Sequence, residues 1–170
     1  MEQSLKKELV ASVSDFRMPR YDEIPNVGLF LEQTTSYIAD YFKSFENINV
    51  TGSMISNYVK KGIIDNPVKK QYYRDQIAYL FFIVVAKTVL SLEDIQLMIS
   101  VQKKTYTTKR AYEYFVREFE NILLYIYGLK DELEVIGNDD SDEKIMLRNT
   151  IVTVAHKVYL DKCFSLLHQE

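Results

Sequence analysis

The chain has 170 residues, of which 47% are hydrophobic and 26% charged, with a formal net charge of −3. That balance excludes a disordered chain and leaves room for one sizeable core, or for a small module with a helical extension. Five Gly and three Pro stand against thirteen Tyr and nine Phe, a scarcity of breakers that predicts an all-α protein.

Several classes of chemistry are excluded as expectations. The single Cys163 cannot form an internal disulfide, and with His156 and His168 it does not complete a zinc site. The acidic run at 139–143 lacks the Gly and Glu of a calcium loop, because Lys144 and Thr150 stand in those places. No metal, no cofactor and no enzyme activity are expected, since neither histidine sits beside a nucleophile and no phosphate or dinucleotide loop occurs. The start of the chain has no apolar run of the secretory kind, and residues 77–86, the longest apolar run, are about half as long as a bilayer requires. The expected home is the cytoplasm, with no membrane partner.

In chain order, residues 1–20 read as an arm with a short amphipathic helix (Leu5, Leu9, Val10, Val13). Pro19 and Pro25 predict an extended segment at 20–24, because a proline disfavours helix in the residue before it. Asn26 is the expected N-cap of a helix carrying Leu29, Phe30, Tyr37, Ile38, Tyr41, Phe42 and Phe45 on one face and ending near residues 45–47. Thr51 caps a shorter helix that stops at Gly62, with Lys60 and Lys61 in its last turn. Met54, Ile55, Tyr58 and Val59 turn inward there, which leaves Ser53, Ser56, Asn57, Lys60 and Lys61 outward. That outward face suits a nucleic-acid groove; it equally suits plain solvent.

A basic and aromatic link follows, in which Lys69, Lys70, Tyr72 and Arg74 are candidates to hold phosphates. Asp75 is the expected cap of the next segment, 77–86, which is apolar on every face and reads as a buried helix or, by its Ile-Val-Val content, a core strand; the flanking Asp75-Gln76 and Lys87-Thr88 favour the helix. Ser91-Leu92-Glu93-Asp94 fits a capping box and opens a further helix through Ile95 and Ile99. Residues 51–110 hold ten basic side chains against four acidic ones, so a segment of +6 sits in a chain that is otherwise −9.

The spacing of Ile55, Tyr58, Gly62, Ile63 and Pro67, followed by Tyr72, Leu80, Phe82, Ile83 and Ser91-Leu92-Glu93-x-Ile95, resembles the MerR-type pattern. That resemblance implies a winged helix-turn-helix over residues 50–99, with 52–61 as recognition helix and 68–73 as a short wing. Ser56 stands where that family has a backbone-contacting Arg, and the wing lacks the Gly-Tyr-Arg element. The wider sequence, MPRYDEIPN and then TGSMISNYVKK, is also similar to a bacterial family known only as a domain of unknown function.

Beyond residue 100, Tyr112, Phe115, Phe119, Ile122, Ile126, Leu129, Leu133 and Ile136 are spaced alternately three and four apart. This heptad seam predicts one helix over 109–136, stopped by Gly137, and Asp140 caps a last helix over 142–167. The pair forms a long helical hairpin. It either completes a monomeric bundle or makes a homodimer, and dimerisation through Phe115, Phe119, Ile122, Ile126, Leu129 and Leu133 is favoured because the apolar surface exceeds what one partner helix covers.

The expected organisation is therefore an arm (1–20), a helix-turn-helix domain (21–100) and a helical hairpin (101–170). The leading function is a homodimeric transcriptional regulator of double-stranded DNA. A non-enzymatic protein-interaction module on the same fold is the alternative. A third reading, a regulator with an unknown small-molecule effector, would be marked by a cavity lined by Tyr112, Tyr125 or Tyr159.

Overall fold

A helix with no polar face forces the arrangement of the others. The computed structural model describes residues 3–168. In order its elements are α1 (Gln3–Ala11), β1 (Leu29–Phe30), α2 (Leu31–Tyr41), α3 (Gly52–Lys60), β2 (Gln71–Tyr72), α4 (Arg74–Ala86), α5 (Leu92–Thr105), α6 (Thr108–Ile126) and α7 (Asp142–Leu167). The class is all-α, with one two-stranded antiparallel pair, β1 with β2.

Ile77, Ala78, Leu80, Phe81, Ile83, Val84, Val85 and Ala86 of α4 are all buried, as its unbroken apolar sequence requires. Side chains on every side of one helix need neighbours on every side, and α2, α6 and α7 pack against it. Each large side chain so buried contributes about 1.5–3 kcal/mol of transfer free energy. Phe81 meets Tyr37, Tyr41, Phe42 and Tyr112 in edge-on or tilted contacts, which joins α2, α4 and α6 in one aromatic cluster. The core runs without a break from Leu5 to Leu166, across the boundary expected at residue 100.

The N-terminal segment is strapped to α6 by polar bonds. The Tyr112 hydroxyl donates to the Pro19 carbonyl (2.9 Å, buried), and Glu120 accepts from the Met18 N–H (2.9 Å) and from Arg20 (2.8 Å). Glu113 accepts from the Tyr21 N–H at 2.7 Å. Arg20 and Ile24 are extended, yet the three residues between them form a 3-10 turn, with the Glu23 carboxylate accepting from the Arg20 N–H (2.7 Å). The proline rule therefore holds at Ile24 and not through the whole segment.

Three helix starts differ from expectation. Leu29 and Phe30 belong to β1, so α2 begins at Leu31 and not after Asn26; it ends at Tyr41, short of residues 45–47. Tyr73, not Asp75, occupies the N-cap of α4, its N–H bound by the Gln76 side chain at 2.9 Å. Ser141, not Asp140, caps α7 by accepting from the Lys144 N–H at 3.3 Å. Thr51 and Ser91 cap α3 and α5 as their sequences predict, accepting from Met54 (3.2 Å) and Asp94 (3.1 Å).

The largest departure is in α6. The expected helix over 109–136 ends at Ile126, because Gly128 takes a left-handed conformation (φ +74°). The Gly128 N–H donates to Tyr125 (3.0 Å) and the Leu129 N–H to Leu124 (2.9 Å), the pair of bonds that closes a Schellman cap. Residues beyond it run as a loop, held where Asn121 donates to the Glu134 carbonyl (2.9 Å) and accepts from the Glu134 N–H (3.2 Å). Across the α6–α7 interface, Arg148 donates to the buried carboxylate of Glu118 at 2.8 Å.

Nothing lies within 4 Å of a Cβ placed on Gly128, so Gly128→Ala tests backbone strain alone. It is expected to cost about 1 kcal/mol or more, read from the urea midpoint. A second expectation concerns alkali. Burial, and for Tyr21 also its bond to Asp75, raises Tyr21 and Tyr114 to about 12, and burial holds Tyr37, Tyr112 and Tyr127 above their ordinary value as well. The folded state then keeps protons that the unfolded state loses above the ordinary tyrosine pKa of about 10. Stability should fall as pH rises from about 10 towards 12, with the tyrosinate absorbance of these residues appearing together with unfolding and not before it.

Candidate nucleic-acid interface

Helix α3 packs Ile55 and Tyr58 inward and exposes Ser53, Ser56, Asn57 and Lys60, with Lys61 exposed at its C-cap. Its end is fixed by Gly62 at φ +70°, where the Ile63 N–H donates to Tyr58 and the Gly62 N–H to Val59, both at 2.9 Å. From α5, Gln96 donates to the Gly62 carbonyl (3.2 Å) and Glu93 pairs with Lys61 (3.4 Å). From α4, Gln76 donates to the carbonyls of Asp65 (3.0 Å) and Asn66 (3.1 Å). These glutamines give an irregular turn the backbone partners it needs, and nothing in their spacing announced that role.

The chain then folds into a two-residue hairpin. Val68 and Gln71 exchange backbone hydrogen bonds of 3.0 and 2.9 Å, and Lys69 and Lys70 between them have φ of +50° and +64°. Two successive positive φ values define the mirror-image turn in which Asn-Gly is usual. Here two lysines occupy it, each at roughly 1–2 kcal/mol of local strain. The hairpin is anchored by β1, whose Leu29 and Phe30 pair with Tyr72 and Gln71. Gly28 permits that approach, since a Cβ on it would lie 2.7 Å from Gln71 Cβ.

Residues 19–115 match the family model described as "Domain of unknown function (DUF1836)". The chain belongs to that family. No curated protein and no solved structure matches it. The match takes in α3, the hairpin, β1 and β2, and it ends inside α6 at Phe115, one of the core residues of that helix.

Within this family member the sequence-derived site divides. Ser53, Ser56, Asn57, Lys60, Lys61, Lys69 and Lys70 are exposed. Lys60, Lys69 and Lys70 have no ion-pair partner among the described residues; Lys61 has only Glu93, itself 75% exposed, and such a surface pair is weak. Tyr72 is not available to a phosphate, because its side chain is 4% exposed and its pKa is raised by burial. Arg74 is also withdrawn: it donates to the carbonyls of Ile24 (2.9 Å) and Asp22 (3.4 Å) and lies over the Tyr21 ring. Both serve the fold, tying β2 and α4 to the N-terminal segment. Lys87 is half buried against α3, donating to Met54 Sδ (3.1 Å), and burial lowers its pKa.

The proposed dimerisation seam is corrected as well. Phe115, Phe119 and Ile122 are 2%, 0% and 2% exposed within the single chain, and Ile126 is half buried. Leu129 and Leu133 are exposed, but in the loop after the Gly128 cap, off the helix that would have aligned them. The helical part of the seam, Phe115, Phe119 and Ile122, is spent inside the single chain, where α6 packs on α4 and α7.

The hairpin strain is testable apart from any ligand. Lys69→Asn with Lys70→Gly should stabilise the protein by about 1 kcal/mol or more, seen as a higher urea midpoint with unchanged slope. A lower midpoint would mean that the lysine stems make packing contacts that outweigh the strain.

Proposed function

We propose that this chain is a DNA-binding transcriptional regulator. In this reading α2, α3 and the 63–73 segment act as a short-winged helix-turn-helix of MerR-like type, with α3 in the major groove. The observation that carries it is the hairpin tip: two lysines without an ion-pair partner among the described residues, held in a strained turn where neutral, flexible residues would fold more easily. Strain retained at an exposed cationic tip is explained if the tip meets a polyanion. Lys60 and Lys61 at the end of α3 extend the same charge, and Ser53, Ser56 and Asn57 are short enough to let the helix approach base edges.

Ser56 in the place of a backbone-contacting Arg shifts the load of phosphate binding onto the lysines. Affinity is then chiefly electrostatic and falls with salt. Fluorescence anisotropy with tagged genomic duplex fragments should give a log–log salt dependence whose slope drops by about two in Lys69→Ala/Lys70→Ala. Absence of salt-dependent binding to any duplex would overturn the reading. The alternative, a non-enzymatic protein-interaction module, draws support from the internal use of Tyr72 and Arg74. It predicts a co-purifying protein that survives nuclease treatment and is indifferent to loss of Lys69 and Lys70.

A further inference from the structure

An open cavity of about 330 Å³ lies between α4, α5, α6 and the segment that runs from residue 136 into α7. That size is at the lower end of small-molecule sites. Its walls include Tyr79 and Phe82 of α4, Met98 of α5, Tyr114 of α6 and Leu147 of α7. Tyr112 lines it too, whereas Tyr125 is exposed elsewhere and Tyr159 packs on Tyr127, so one of the three tyrosines expected to mark an effector site does so.

Most polar groups around the cavity are already partnered. The Tyr79 hydroxyl donates to Gln102 (2.9 Å), Gln102 donates to the Tyr106 carbonyl (2.6 Å), and the Tyr106 hydroxyl donates to Asp139 (3.1 Å). Glu143 accepts from Thr105 (3.0 Å), and Glu113 accepts from the Tyr21 N–H (2.7 Å) and pairs with Arg117 (3.7 Å). What remains for a ligand is chiefly ring faces and methyl groups, which suit a flat apolar body.

Three cations (Arg110, Arg117 and Lys144) and three carboxylates (Glu113, Asp139 and Glu143) line the cavity, and of the cations Lys144 alone has no ion pair among the described residues. Arg110 pairs with Asp139 at 3.2 Å and lies over Tyr106. Lys144 donates to the Asp139 backbone carbonyl (2.7 Å) and sits 5.5 Å from the Tyr114 ring centroid, with no carboxylate in ion-pair range among the described residues. The Tyr114 hydroxyl is buried without a hydrogen-bond partner among the described residues. An ammonium with free donors beside an aromatic-walled cavity selects for negative charge on whatever enters.

We propose that this cavity binds a small planar aromatic molecule carrying one carboxylate, its ring between the α4 and α6 aromatics and its carboxylate at Lys144. The site is independent of the DNA reading, and its test uses no DNA.

The full chain is titrated with a panel of aryl carboxylates (benzoate, 1-naphthoate, 2-naphthoate, indole-3-carboxylate), each beside its neutral amide, by ligand-observed NMR and calorimetry. At least one carboxylate should saturate with a Kd below about 1 mM, and its amide should bind more weakly. Lys144→Met should weaken that carboxylate about tenfold, the equivalent of one charge-assisted hydrogen bond, and leave the amide unchanged. Ala111→Leu or Ala111→Phe, which fill the cavity from α6, should abolish binding while circular dichroism verifies the fold. No saturable binding across the panel, equal binding of acid and amide, or binding untouched by a folded Ala111 variant would each overturn the proposal.

Discussion

The burial of α4 is the constraint on which the architecture depends. A helix whose last ten residues present no polar face cannot rest on the surface, so α2, α6 and α7 pack around it. This decides the fate of the α6 seam. A heptad stripe is indifferent to whether its partner is another copy or another part of the same chain; what matters is which apolar surface is nearest. Phe115 and Phe119 stack within the core, with Phe82 of α4 edge-on to Phe115, and the demand of α4 is met intramolecularly.

The same constraint ties the two candidate sites together. Gln76 at the start of α4 and Gln96 in α5 hold the backbone that follows α3. Further along these helices, Tyr79, Phe82, Met98 and Gln102 line the cavity. From Gln96 to Gln102 is six residues of helix, about 9 Å of rise. Both sites are thus carried by α4 and α5, and a displacement of either helix by an occupant of the cavity would reach the end of α3 through two side-chain amides.

Features governed by local rules were legible in the sequence. Thr51, Gly62 and Ser91 announced their helix ends, and the composition of residues 77–86 announced a buried helix. What failed were readings in which a local signal had a tertiary competitor. The seam continued past Gly128 on paper, because a glycine inside an apolar period looks tolerable until the chain needs to turn. Leu29 and Phe30 fit a helical period, yet pairing with Gln71 and Tyr72, forty residues away, drew them into a strand. The cavity left little signal: of the three tyrosines expected to mark an effector site, Tyr112 alone lines it. Its walls come from four helices, and each tyrosine in it reads, singly, as core.

Charge patterning shows the same distinction between composition and placement. Ten basic side chains gave residues 51–110 their +6, but the fold does not leave them equivalent. Arg74 is bound to carbonyls, Lys87 is half buried against Met54, Lys109 and Arg110 are paired with Asp22 and Asp139, Lys103 lies over Tyr79, and Lys61 shares Glu93. Lys60, Lys69, Lys70 and Lys104 are left without a partner among the described residues, and three of these four belong to α3 and the hairpin after it. A polyanion would therefore meet a small, focused set of charges and not a basic face. Few phosphate contacts give modest affinity and a shallow salt dependence compared with proteins that make about 6–10 of them. Specificity at this surface would have to come from Ser53, Ser56 and Asn57 and from the shape of the duplex under the short hairpin.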